Sequence, residues 1–219
     1  MLSAHWDREK GVTRLLLVNE QELLRNGMTQ LVERLDSDLE IDAVPDVETA
    51  LALPGRKTYS IALIDMPDAV SEFGAALHRF RAAFPDTATY VVAWDPSPAM
   101  ARACIEAGSM GYILSVAPHR ELIRGLKRAL GRKVYLAPVV LDAAFGGDRN
   151  MTIASVTEEP VRRVLERVLW NQSPEQIGRC LGMSVETVLG CRARAFSLLG
   201  VSCRTQALYV LAAKAREDG

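Results

Sequence analysis

The sequence predicts two folded parts: an α/β part built on a parallel β-sheet, followed by a smaller part made only of helices. Short apolar runs without polar alternation predict the strands, and amphipathic stretches between them predict the helices. Runs that are apolar on both faces and are separated by helices indicate a parallel sheet covered on both sides. From residue 157 onward the helical period continues with almost no strand-like sequence, which predicts the all-helical part.

Five apolar runs predict a doubly wound sheet of five strands. They cover residues 15–18, 41–44, 61–64, 90–94 and 111–114, and the predicted helices between and after them cover 21–35, 73–84, 99–107 and 120–130. We therefore divide the chain into an N-terminal tail (1–11), the α/β domain (12–133), a linker (134–156) and the helical domain (157–219). In such a sheet the functional groups lie at the C-terminal ends of the strands, where the loops converge.

Composition and charge narrow the class of protein. Hydrophobic residues make up 49% of the chain, which excludes a collagen-like or wholly disordered protein. The formal net charge is −1, so attraction to nucleic acid would have to come from a local patch. No apolar run approaches the roughly 18 residues of a membrane span, and the polar N-terminus predicts a cytoplasmic location. The four cysteines include no CxxC pair and are expected to be reduced.

The α/β part resembles the receiver domain of two-component response regulators, which has a flavodoxin-like fold. The matching features are residues 15–28, Asp65 followed by Met66 and Pro67, the stretch 107–112, and the closing amphipathic helix. The whole chain resembles the NarL/FixJ group of these regulators. The resemblance implies an acidic pair that holds Mg²⁺, an aspartate that accepts a phosphoryl group, and a hydroxyl and a lysine that bind its oxygens.

Several of these positions depart from the family pattern. The acidic pair is Asn19 and Glu20, which removes one negative charge from the metal site. Asp65 is the phosphoacceptor-like residue if the strand sets the register, whereas anchoring on the Met-Pro pair would place Leu63 there. We prefer the strand register, because a slip of one residue would reverse every buried side chain. The resemblance implies no cofactor beyond weak Mg²⁺ binding at Glu20 and Asp65.

The remaining switch positions are degenerate as well. The hydroxyl position falls on Trp94, or on Ala93 with a different gap, and the lysine position falls on Ser115. Tyr112 is the third degenerate switch position. Without the cation, the phosphoryl group would lose its charge-assisted partner. We therefore expect a receiver that phosphorylation does not control, although a conventional switch using Asp65 remains the alternative. We expect Trp94 to fill the vacated pocket in preference to a small ligand.

The helical part resembles the LuxR-type helix-turn-helix DNA-binding domain. Its residues 173–188 read as two helices joined at Gly182, with Ser184 as the N-cap of the second helix. Val188, Cys191, Ala195 and Leu199 recur at helical spacing and predict the buried stripe. The resemblance places the DNA-binding positions at Ser184, Thr187, Leu189, Gly190, Arg192, Arg194 and Arg204.

Together these features predict a transcription regulator that binds double-stranded DNA as a homodimer. The receiver would serve dimerisation or the sensing of a partner or ligand, and the final helix and a receiver surface are the candidate dimer contacts. The alternative is an interaction protein that sequesters another regulator without binding DNA. We expect no enzymatic activity, since the sequence shows no nucleophile–base pair or nucleotide loop, and its three histidines lack metal-ligand spacing.

Overall fold

A six-stranded, wholly parallel sheet organises the first part of the chain. The computed structural model describes residues 13–53, 58–65, 70–144 and 158–217. The strands are β1 (Arg14–Val18), β2 (Glu40–Val44), β3 (Ile61–Asp65), β4 (Ala88–Ala93), β5 (Gly111–Leu114) and β6 (Tyr135–Leu136). Their order is β2-β1-β3-β4-β5-β6, and every neighbouring pair is parallel.

Helices connect these strands, as the doubly wound prediction requires. They are α1 (Glu22–Leu35), α2 (Val47–Leu51), α3 (Val70–Ala83), α4 (Pro98–Glu106), α5 (His119–Leu130) and α6 (Pro138–Ala144). All residues of β4 and β5 are buried, which is the pattern expected of strands covered on both faces. The chain winds outward from β1 in one direction and from β3 in the other, so the β1–β3 boundary is the switch point of the sheet.

The sixth strand corrects the prediction of five. β6 and α6 lie inside the segment that we predicted to be a linker, and β6 pairs with β5 through Gly111 and Tyr135. A side chain at Gly111 would collide with the Tyr135 carbonyl, so the close approach requires glycine. A two-residue strand is too short to show a period, which explains why the sequence pattern missed it. The rest of the predicted linker (145–156) and the whole predicted tail (1–11) lie outside the described residues, and the domain boundaries stay a prediction.

The helical part contains the predicted helix-turn-helix. Its helices are α7 (Glu159–Leu169), α8 (Pro174–Leu181), α9 (Val185–Leu199) and α10 (Arg204–Glu217). Gly182 ends α8 at φ 67°, a left-handed conformation that favours glycine. Ser184 caps α9, accepting a hydrogen bond from the Thr187 N–H at 3.1 Å. The predicted stripe on α9 is confirmed, since Val188, Ala195 and Leu199 are buried and Cys191 is partly buried.

The two parts of the chain share one hydrophobic core. α10 contacts α4, α6 and β6, and its residues Ala207 and Leu208 are fully buried. We predicted the final helix as a dimer contact. The face that carries these two residues is instead covered by the chain itself, and in this structure it is not a free surface.

Arg204, the first residue of α10, binds the ends of two other helices. Its guanidinium donates five hydrogen bonds, 2.7 to 3.0 Å long, to the carbonyl oxygens of Leu169, Ile105, Gly108 and Ser109. These carbonyls lie at or just beyond the C-terminal ends of α7 and α4, where unpaired carbonyls and the helix dipole favour a cation. Burial lowers the pKa of Arg204 to about 9, so the group remains charged at neutral pH.

Arg81, near the end of α3, approaches the same region from the receiver side. It is 7% exposed, and its guanidinium donates a hydrogen bond to the Trp170 carbonyl at the end of α7. Burial lowers the pKa of Arg81 to about 10. Gly108 has φ 111°, and a Cβ there would lie 2.6 Å from the Arg81 Cδ, so glycine is needed for the side chain to pass.

Further contacts surround Trp170, which is 2% exposed. The guanidinium carbons of Arg132 and Arg167 lie 3.7 and 4.8 Å from its ring centroid, within the range of cation–π attraction. The Gln172 amide donates a hydrogen bond to the Asp86 carboxylate. We call this contact between the two parts of the chain the junction. It combines an apolar core with surrounding arginines, which are Arg81, Arg132, Arg167 and Arg204.

Within the described ranges, no single helix is long and apolar enough to cross a membrane. α9 and the stretch Arg204–Ala212 are long and apolar enough only when taken together, and the chain bends by 45° at the break between them. Buried core helices of this length can have the same apolar composition.

Replacing Arg204 by alanine is expected to destabilise the whole chain. The change removes the guanidinium donors from four carbonyls, of which only the Ile105 carbonyl keeps a backbone donor among the described residues, the Gly108 N–H. It also removes a buried side chain, so the free energy of unfolding should fall by about 2 to 4 kcal/mol. Urea unfolding followed by circular dichroism measures this quantity. Arg120→Ala, at an exposed position on α5, is the control and should leave the midpoint nearly unchanged. Equal midpoints for both variants would contradict a structural role for Arg204.

Candidate nucleic-acid interface and receiver edge

The C-terminal ends of β1 and β3 bring Asn19 and Asp65 side by side. Val18 of β1 pairs with Ile64 of β3, so the next residue on each strand faces the other at the C-terminal edge. Asn19 is 7% exposed, and its Oδ1 accepts a hydrogen bond from the Gln21 N–H at 2.8 Å. The amide oxygen is therefore engaged at the entry to α1. Glu20 is exposed beside it.

Asp65 ends β3 at a half-buried position, as the preferred strand register predicted. Among the described residues, no three His, Cys, Asp or Glu side chains gather in a group that could hold a metal ion. Glu20 and Asp65 supply carboxylates beside Asn19, whose Oδ1 is already hydrogen-bonded to the Gln21 N–H. Mg²⁺ keeps several waters and binds through one or two carboxylates, so weak Mg²⁺ binding at Glu20 and Asp65 stays a prediction. The role of Asp65 as an acceptor stays a prediction.

Trp94 does not fill a pocket, and this prediction is wrong. The side chain is 58% exposed. Tyr112, fully buried beneath the β4–α4 loop, takes the inner space, and its hydroxyl donates to the Asp95 carbonyl at 2.6 Å. Burial raises the pKa of Tyr112 well above its usual value, so the phenol remains a donor. This hydrogen bond holds Asp95, the residue after Trp94, against Tyr112, and the indole of Trp94 lies at the surface.

Ser115 directly follows β5, at the position where the family resemblance implies a lysine. Its Oγ donates to the Ala93 carbonyl at 3.2 Å, and its backbone N–H donates to the same oxygen at 2.8 Å. The short side chain is thus folded back onto β4. Val116, the next residue, is 66% exposed, so the rim at these two strands presents apolar side chains rather than a cation.

Six of the seven predicted DNA-binding positions lie at exposed sites in α9 or at its N-cap. Leu189 is 39% exposed, and nothing lies within 4 Å of the space where a side chain at Gly190 would point. Because the buried stripe of α9 faces α7 and α8, these two residues face outward. The exposed set is Ser184, Thr187, Leu189, Gly190, Arg192 and Arg194.

The two arginines of α9 differ in their surroundings. Arg194 forms an ion pair with Glu158 at 3.1 Å, with both side chains about half exposed. Arg192 forms no ion pair with any described residue. The unpaired guanidinium is the stronger attractor for a phosphate group.

Arg204, the seventh predicted position, does not lie on this surface. Its guanidinium is enclosed by the carbonyls of the junction, and the structure contradicts the predicted DNA contact. Sequence reasoning also missed Arg81, Trp170 and Gln172, which form the rest of the junction. Their residue types and spacing carry no local signal, because their partners are far away along the chain.

Comparisons with known proteins agree with this architecture. No protein-family model matches the chain. Curated relatives include the transcriptional regulatory protein UhpA of Escherichia coli K12 and that of Salmonella typhimurium, each 28% identical over 193 residues, covering 85% of this chain and 91% of the relative. Among solved structures, RcsB of Salmonella typhimurium matches with TM-score 0.52 and 16% identity, over 92% of this chain and 98% of RcsB.

A second RcsB structure, of two dimers bound to two parallel DNAs, matches with TM-score 0.51 and 14% identity, over 94% of this chain and 99% of that one. At this identity the match shows the fold. The resemblance to response regulators with a receiver and a helix-turn-helix domain is therefore confirmed over nearly the whole chain.

The exposure of Trp94 predicts a specific fluorescence signature. Trp94→Phe should remove a red-shifted component of the emission that acrylamide quenches readily, because Trp94 is 58% exposed. The wild type and the variant share the other two tryptophans, Trp6 and Trp170. The measurement is a Stern–Volmer titration of both proteins, and the difference between them isolates Trp94. If the lost component proves blue-shifted and protected, the indole lies inside after all.

Proposed function

We propose that this chain is a DNA-binding transcription regulator of the response-regulator type, in which the exposed face of α9 enters the major groove. The observation that carries the proposal is the capped helix-turn-helix, in which α9 buries one stripe and leaves Leu189, Gly190 and Arg192 exposed. The similarity to UhpA, a transcriptional regulatory protein, and the RcsB fold seen with DNA support it.

The chemistry of this face favours backbone contacts over base readout. Leu189 suits contact with a thymine methyl group but makes no bidentate hydrogen bond. Arg192 and Arg194 flank the face and suit phosphate oxygens, and Ser184 and Thr187 supply hydroxyls at the start of the helix. Binding strength should then depend strongly on salt.

We propose further that phosphorylation does not control the receiver. The exposed Trp94, the folded-back Ser115 and the engaged Asn19 leave the strand-end edge without a hydroxyl, lysine and acidic pair in the family arrangement. The receiver then serves dimerisation or the sensing of a partner, since two-fold DNA sites favour two-fold proteins. We place the regulator in the cytoplasm and assign it no enzymatic activity.

A second candidate function is the sequestration of another regulator without DNA binding. The observation in its favour is the small and apolar character of Leu189, Gly190 and Ala193 on the exposed face of α9. The ion pair of Arg194 with Glu158 also reduces the positive charge near that face.

Duplex DNA binding should be salt-sensitive and should weaken in Arg192→Ala. Each lost phosphate contact lowers the slope of log affinity against log salt by about 0.9. Fluorescence anisotropy of a labelled mixed-sequence duplex over a range of salt concentrations measures both affinity and slope. Arg120→Ala is the matched control, an exposed arginine on α5 that should change neither. Absence of any salt-sensitive binding would favour the sequestration function.

Incubation with acetyl phosphate and Mg²⁺ should produce no stoichiometric phosphoryl adduct. The reason is the lack of a lysine and a hydroxyl at the positions of Ser115 and Trp94 to stabilise the phosphoryl oxygens. Intact-mass spectrometry of the wild type and of Asp65→Asn provides the measurement, with a conventional receiver treated in parallel. An adduct on the wild type that disappears in Asp65→Asn would establish the phosphorylation switch instead.

A further inference from the structure

The large apolar side chains that are exposed in the described part of the chain concentrate on two surfaces. Four of them lie near the C-terminal ends of the receiver strands and are Leu23, Leu24, Trp94 and Val116. Two more, Val185 and Leu189, belong to α9, and Val139 lies apart on α6. Exposed apolar side chains that gather in a patch usually mark an interaction site.

The four receiver side chains belong to one edge of the sheet. Ala93 pairs with Leu114, so Trp94 and Ser115 follow at neighbouring strand ends, and Val116 comes next. Leu23 and Leu24 lie in the first turn of α1, which begins shortly after β1 ends at the same edge. We call these four side chains, together with the carboxylates of Glu20 and Glu22, the edge patch.

The edge patch carries negative charge beside its apolar surface. Glu20 and Glu22 are exposed and form no ion pair with any described residue. Arg25, one turn further along α1, donates from its Nη1 to the backbone carbonyls of Asn19 and Glu20. Its guanidinium is thus directed at the backbone. A complementary surface would combine apolar side chains with a cation.

α9 presents that complementary pattern. Val185, Leu189 and Arg192 recur at spacings of four and three residues, so they share one face of the helix. All three are exposed, and Arg192 forms no ion pair with a described residue. Nothing lies within 4 Å of the space beside Gly190, so another surface can approach the helix closely there. We call these four residues the α9 face.

Both surfaces are exposed in the same chain, so neither covers the other within it. We propose that the α9 face of one copy binds the edge patch of a second copy, and that the second copy returns the same contact. Reciprocal contacts close a two-fold dimer and prevent an open chain of copies. The two contacts also share the roughly 1,000 Å² of buried surface that a stable interface needs.

The inference rests on the proposed function, in which α9 binds DNA and the receiver serves dimerisation. In the reciprocal dimer Leu189 and Val185 meet the apolar side chains of the edge patch, and Arg192 meets Glu20 and Glu22 of the second copy. Because both α9 faces are then covered, this dimer is a DNA-free resting form, and duplex DNA competes with it.

Sedimentation equilibrium without DNA tests the pairing through reversed charges. Arg192→Glu, and separately Glu20→Arg with Glu22→Arg, should each raise the dimer dissociation constant at least about a hundredfold, because a loss of about tenfold at each of two contacts multiplies. An equimolar mixture of the two variants should dimerise like the wild type. One of its contacts is native, and in the other both charges are exchanged. A mixture that stays monomeric would overturn the proposal.

The apolar half of the contact has its own variant and matched control. Trp94→Asp should prevent dimerisation, whereas Val139→Asp, an equally drastic change at an exposed valine of α6, should leave it intact. Circular dichroism checks the fold, and Val116→Asp takes the place of Trp94→Asp if that variant unfolds. A wild type that stays monomeric, or equal losses in Trp94→Asp and Val139→Asp, would refute the edge patch.

The competition with DNA is read from the Trp94 emission, taken as the difference between the wild type and Trp94→Phe. Acrylamide should quench it readily in the dilute monomer and poorly in the dimer, and excess duplex should restore the quenching. Persistent protection with duplex bound would overturn the resting form. A failure of the dilute monomer to bind DNA would contradict the proposed function and not the dimer, which the DNA-free sedimentation judges by itself.

Discussion

The hydrogen bonds of Arg204 to the ends of α4 and α7 hold the two parts of the chain together. A buried guanidinium normally needs a carboxylate, yet the hydrogen-bond acceptors of Arg204 are backbone carbonyls. The carbonyls at the C-terminal end of a helix are unpaired and carry the negative end of the dipole, so two such ends together replace an acid. Arg81 uses the same end of α7 from the receiver side.

This junction determines which surfaces of the helical part remain available. Because α10 is packed on α4, α6 and β6, its apolar face is committed within the chain, whereas the outer face of α9 is exposed. The junction also fixes Gln172, whose amide donates a hydrogen bond to Asp86 of the receiver.

At the C-terminal edge of the receiver sheet, the sequence predicted which residues lie at the strand ends but not where their side chains point. Strand register placed Asn19, Asp65 and Ser115 at the C-terminal ends of their strands, because apolar runs in a parallel sheet end where the loops begin. The orientation of Trp94 was wrong, because it depends on Tyr112, a residue on the neighbouring strand whose hydroxyl draws the loop inward. A pairing of this kind has no local pattern in the sequence.

The sequence by itself determined the parallel sheet, the helix-turn-helix with its Gly182 turn and Ser184 cap, and the buried stripe of α9. Each of these follows from a short-range period or from a hydrogen bond between residues close along the chain. Tertiary structure alone decided the sixth strand, the outward position of Trp94 and the withdrawal of Arg204 from the DNA surface. These depend on which surfaces meet across a long separation in sequence, where burial and unpaired helix ends select partners that local spacing does not encode.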